Sequence, residues 1–99
     1  MKLFEYGHSR SGDKGNIFNL SFILYNINDY DYIKEKVTSK RVKEYFKDIC
    51  LGEVIRYELP QIGGFNFVLK DSLDGGCTNS TRLDKHGKTL SGAFLEMEI

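Results

Sequence analysis

Residues 16 to 25, NIFNLSFILY, constrain the fold of this chain most, because Phe18, Leu20, Phe22 and Leu24 fall at alternate positions. Successive side chains of a β-strand point to opposite faces, so this period of two gathers four large apolar groups on one face. Asn19, Ser21 and Ile23 take the other face. Such a strand needs neighbours in a sheet and a covering layer over its apolar side.

The flanking sequence offers both. Residues 2 to 8, KLFEYGH, are short and aromatic-rich and predict a first strand. The polar stretch HSRSGDKGN, residues 8 to 16, lies between the two strands. Its free length of about seven residues suits an antiparallel hairpin with a wide polar tip. Downstream, Asn28 or Asp29 can cap a helix with Asp31 in its first turn and Tyr30, Ile33 and Val37 at helical spacing. Thr38-Ser39 interrupts and can cap again. A second helix then carries Val42, Tyr45, Phe46 and Ile49 at i, i+3, i+4 and i+7, with Gly52 as its stop.

From Glu53 to Leu59 the period returns to two, with Ile55, Tyr57 and Leu59 on one face and Val54, Arg56 and Glu58 on the other. Pro60 ends that strand. The segment IGGFNFVLKDSLDGG supports two readings. Phe65, Phe67 and Leu69 alternate as in a strand, whereas Ile62, Phe65, Leu69 and Leu73 share one helical stripe. The length of the stripe and the stop at Gly75-Gly76 favour a helix over residues 62 to 73. STRLD, residues 80 to 84, predicts a short strand, DKHG a turn, and Leu90, Ala93, Phe94 and Met97 a last helix. A closing strand competes for the final five residues. The order predicts one α+β domain over residues 1–99, an antiparallel sheet with helices on one face.

Composition narrows the functional classes. Lys plus Arg and Asp plus Glu number 14 each, so no global field draws the chain to nucleic acid or anionic lipid. No apolar run approaches a membrane span of roughly 20 residues, and Met1-Lys2 leads straight into structure without a secretory signal. Cys50 and Cys77 lack metal-ligand or redox spacing and fit a reduced, cytoplasmic protein. No spacing of His, Cys or carboxylates suits zinc, and no cofactor motif is present. The basic run KRVKEYFK turns its aromatics toward the core and reads as a solvated helix face.

Chemistry-bearing residues concentrate between His8 and Asn16. Gly12 and Gly15 allow close backbone approach to an anion, and Arg10 and Lys14 add charge, with Ser11 and Asn16 as further ligands. The spacing is not that of a P-loop, since Asp13 stands where Lys is required. His8 is the acid–base candidate, because imidazole exchanges protons near neutral pH, and Asp13 is its nearest carboxylate in sequence. A purely structural alternative has Asp13, Asn16 and Ser11 satisfying the backbone of their own loop. Asn66 either closes this hydrogen-bond network or lies on the polar side of its helix. Arg82 and Asp84 offer the same choice. His86 in its turn reads as solvated, Cys77 as incidental, and Arg56 and Glu58 as partners of neighbouring groups.

Several blocks together resemble the AtuA-like ferredoxin-fold family. They are HSRSGDKGN at 8 to 16, RYELP at 56 to 60, FNFVL at 65 to 69, and RLDKHGK at 82 to 88 with the helix running through LEMEI. The resemblance covers essentially the whole chain. It departs at Ser9, where a small apolar residue is usual, and around Cys77 to Thr81. It implies a ferredoxin-like α+β sandwich and a larger AtuA-type protein or subunit as partner. The implied context is breakdown of acyl or terpenoid compounds, with coenzyme A thioesters among the ligands.

Three functional readings follow. The leading one is a non-enzymatic subunit that docks on an AtuA-type partner and supplies residues 8 to 16 to a shared site; an edge strand also leaves homodimerisation open. The second is a lyase, hydratase or hydrolase of an acyl thioester using His8 and Asp13. The third is a binding module for a small carboxylate or phosphate.

Overall fold

The computed structural model describes residues 1–14, 17–47, 50, 52–71 and 90–99, with the side chains of residues 13 and 14 left aside. Four antiparallel strands form one sheet: β1 (Gly7–Lys14), β2 (Ile17–Leu24), β3 (Val54–Leu59) and β4 (Gly64–Leu69), in the order β1-β2-β4-β3. Helices α1 (Tyr30–Lys36) and α2 (Ser39–Tyr45) connect β2 to β3, and α3 (Leu90–Leu95) follows β4. This ββαββα order is the ferredoxin-like βαββαβ order entered one strand later. The two chain ends close the circle: Leu3 N–H donates to Met97 O and Ile99 N–H to Met1 O.

Strand β2 behaves as its alternation dictates. Phe18, Leu20, Phe22 and Leu24 are buried, and their β4 neighbours Phe65, Phe67 and Leu69 extend the same face. Onto it pack Tyr30, Ile33 and Val37 from the first helix and its end, Val42 and Phe46 from the second, and Leu90 and Phe94 from the third. Phe94 anchors α3, meeting Phe22 edge-on at 6.2 Å and Phe67 at 5.5 Å. All three helices therefore lie on one side of the sheet.

Local signals hold where they are chemical. Thr38 Oγ1 accepts from Arg41 N–H and starts α2. Asn26, not Asn28 or Asp29, makes the side-chain cap upstream, accepting from Asn28 N–H at the head of a single 3-10 turn that leads into α1. Pro60 ends β3 and opens another such turn, Pro60–Ile62. Helix α2 stops at Tyr45, short of Gly52, whose N–H donates instead to Lys70 O.

Two expectations are corrected. The segment expected as a helix over 62–73 contains β4, because Phe65, Phe67 and Leu69 fill the central sheet position between β2 and β3. A helix there would bury one stripe, whereas the vacancy between two strands requires a backbone ladder on both edges. The first strand does not span residues 2 to 8. Leu3–Glu5 form a 3-10 turn, and the strand begins at Gly7 and runs on through the supposed loop to Lys14. The final residues make a single bridge, Lys2 to Glu98, after α3. The predicted strand at 80–84 and the DKHG turn lie outside the described residues.

Candidate functional site

The stretch from His8 to Lys14 is the edge strand of the hairpin, paired with β2 from Gly7↔Leu24 to Lys14↔Ile17. Only residues 15 and 16 separate the paired ends. Nothing apolar in HSRSGDK announces a strand; the alternation of β2 dictates it, because β2 supplies the ladder to which these residues bond. On an extended edge strand alternate backbone N–H groups bond to the neighbouring strand and the others point outward, spaced along the open edge. Within residues 8 to 14 they therefore do not converge on an anion, as the loop reading required.

Strand pleating then sorts the candidates. Ser9 and Ser11 pair with Phe22 and Leu20 and share the covered face. His8, Arg10 and Gly12 pair with Ile23, Ser21 and Asn19 and belong to the uncovered face. Asp13 pairs with Phe18 and Lys14 with Ile17. His8 and Asp13 are thus five positions apart, of opposite parity, and about 16 Å apart along the strand. His8 is exposed, and its ring lies 5.8 Å from that of Tyr25.

A different set is brought together. Arg10 pairs with Ser21, Ser21 with Asn66, and Asn66 with Tyr57, so one row crosses all four strands of the uncovered face. Adjacent strands lie about 4.8 Å apart, so the row spans about 14 Å. Ser21 Oγ donates to Arg10 O at 3.4 Å. No hydrogen bond or ion pair among the described residues engages the side chains of Arg10, Asn66 or Tyr57. The rows on either side are mostly apolar: Ile23 and Leu59 flank it on one side, Val68 and Ile55 on the other. Among the described residues nothing packs over this face, and Ile17, Tyr57 and Leu59 are 37%, 50% and 38% exposed.

Arg10 and Asn66 were both legible as candidates; Ser21 and Tyr57 were not. Period-two alternation already put Ser21 on the face opposite Phe22, and Tyr57 on a face with Ile55 and Leu59. The missing signal was the register, which no local pattern carries. Gly15, Asn16, Arg82, Asp84, His86 and Cys77 lie outside the described residues.

Arg56 has a structural task. On the covered side of edge strand β3, its guanidinium donates to Lys34 O at 2.6 Å and Val37 O at 2.9 Å, satisfying carbonyls at the end of α1. It also pairs with Glu58 at 3.3 Å and lies 5.4 Å from the centre of the Phe65 ring. Among the described residues no three His, Cys, Asp or Glu side chains gather as a metal site would need. No helix among them is long and apolar enough to cross a membrane.

Fold and face together define an α+β sandwich with one side of its sheet uncovered among the described residues. The model of the AtuA ferredoxin-like domain matches residues 1–99, and the chain belongs to that family. No significant match was found among curated proteins or among solved structures.

Proposed function

We propose that this domain is an accessory module that docks on a larger AtuA-type partner in cytoplasmic acyl or terpenoid catabolism, through the bare face of its sheet. The observation that supports this reading is that face itself: four strands wide, uncovered among the described residues, and carrying exposed Ile17, Tyr57 and Leu59. Ile23, Ile55 and Val68 share that face with them, and apolar groups gathered contiguously in this way are what an interaction site presents. In a complex, His8 and Lys14 of the edge strand, with Gly15 and Asn16 next in sequence, become the contribution to a shared site for an acyl-CoA, carboxylate or phosphate ligand.

The test is purification of the tagged protein from its own cells, with mass spectrometry of what remains bound. Stoichiometric recovery of an AtuA-type protein, lost on Tyr57→Arg in a variant that still folds, is the expected result. A lone oligomer of this chain would overturn the reading. Turnover of an acyl thioester by the isolated domain would replace it with the enzymatic one.

A further inference from the structure

The bare face has a charge pattern of its own. Its register positions hold His8, Arg10, Gly12 and Lys14 on β1, Ile17, Asn19, Ser21 and Ile23 on β2, and only neutral residues on β3 and β4. Not one is Asp or Glu, in a chain with 14 carboxylate residues. The described carboxylates in ion pairs sit elsewhere: Glu44 on α2, Glu53 and Glu58 at the β3 edge, Glu98 at the chain end. Cations off this face, such as Lys34 and Arg56, find Glu58, while Arg10 meets no counter-charge among the described residues.

Whatever covers the apolar flanks of this row also takes water from the Arg10 guanidinium. A desolvated guanidinium without an anion is strongly unfavourable, whereas a carboxylate can meet it with two parallel hydrogen bonds. We infer that the bare face docks a protein surface that presents an Asp or Glu side chain to Arg10 amid apolar contacts, with Ser21, Asn66 and Tyr57 taking neighbouring polar groups. The same face of a second copy does not meet this requirement, since none of its described register positions is Asp or Glu. Nucleic acid requires many aligned cations, and the face carries Arg10 and Lys14 at one edge with neutral residues on β2, β3 and β4.

The inference rests on the docking reading, and the two fail differently. The co-purified AtuA-type protein is titrated against the wild type, Arg10→Glu, Arg10→Lys and Tyr57→Arg, each checked for native amide NMR spectra. The expected result is affinity weakened about tenfold or more by Arg10→Glu and less by Arg10→Lys. Restoration by Arg at the partner's cross-linked Asp or Glu completes the case. Binding unchanged by Arg10→Glu yet abolished by Tyr57→Arg overturns the carboxylate and leaves the docking face standing. Binding indifferent to both, or no AtuA-type protein to titrate, overturns both. Sedimentation as a dimer that Tyr57→Arg disperses makes a second copy the occupant and overturns the inference. Saturable shifts of the Arg10 row with acetate or inorganic phosphate alone make it a small-anion site and overturn the inference as well.

Discussion

The Ser9 hydroxyl lies on the covered face of β1 opposite Phe22, shielded from solvent and without a hydrogen-bond partner among the described residues. The Tyr30 hydroxyl is placed likewise, although its ring stacks on Phe65 at 4.7 Å and 6°. A buried polar atom that has left water and found nothing costs about 1–3 kcal/mol. Ser9→Ala is therefore expected to raise the stability of the domain by about 1 kcal/mol. Tyr30→Phe, which keeps the stack, is expected to act in the same direction. Chemical denaturation curves check both; a fall in midpoint would show that the hydroxyl has a partner in solution.

Elements are held by specific side chains more than by propensity. Helix α1 has seven residues, too few to persist alone, and the Arg56 hydrogen bonds secure its last carbonyls. Arg56→Met is expected to cost about 2–3 kcal/mol, since hydrogen bonds to charged groups each contribute more than neutral ones. Glu58→Gln should cost less than about 1 kcal/mol, because that carboxylate is 40% exposed. Within β1 two glycines make an internal comparison. A Cβ at Gly7 would run into the carbonyl oxygen of Ile23 and into the Phe22 ring, whereas one at Gly12 would meet nothing within 4 Å. Gly7→Ala should destabilise by about 1–3 kcal/mol and Gly12→Ala by no more than about 0.5 kcal/mol. Thermal midpoints of the two variants, measured side by side, decide it.

For the whole molecule the helical layer is sensitive to alkali. Burial pushes the Tyr30 and Tyr45 hydroxyls above the ordinary tyrosine value of 10.0, with Glu58 and Glu96 adding to the shift. Tyr45 also donates to Ala93 O at 2.6 Å, tying α2 to the α3 layer. A phenol held above its unfolded value keeps its proton longer in the folded chain. Its stabilisation is complete below about pH 10 and is lost as pH rises through the folded value. Denaturant midpoints taken from pH 8 upward should stay level and then fall beyond about pH 10. Tyr45→Phe should cost about 1 kcal/mol at neutral pH and reduce the alkaline fall. A midpoint that rises with alkali would contradict the sign.

Sequence alone determined the features governed by near neighbours. The faces of β2 and β3, the Thr38 cap, the Pro60 stop and the inward positions Val42, Phe46 and Phe94 each depend on a handful of consecutive residues and stand in the structure, whereas Tyr45 of the same predicted stripe is exposed. The family too was legible, because blocks such as GDKGN and RYELP are local strings. Pairing was not. Residues 64–69 fit both stripe and strand, the longer stripe favoured a helix, and only the place between β2 and β3 made them a strand. Residues 8–14 read as a loop until β2 claimed them. The same pairing aligned Arg10 with Asn66, which lie 56 positions apart in the chain. Register is a property of two strands at once: a slip of one residue turns every side chain to the other face, and neither strand records its partner's position. The sequence thus carried the chemistry, and tertiary structure decided which groups meet.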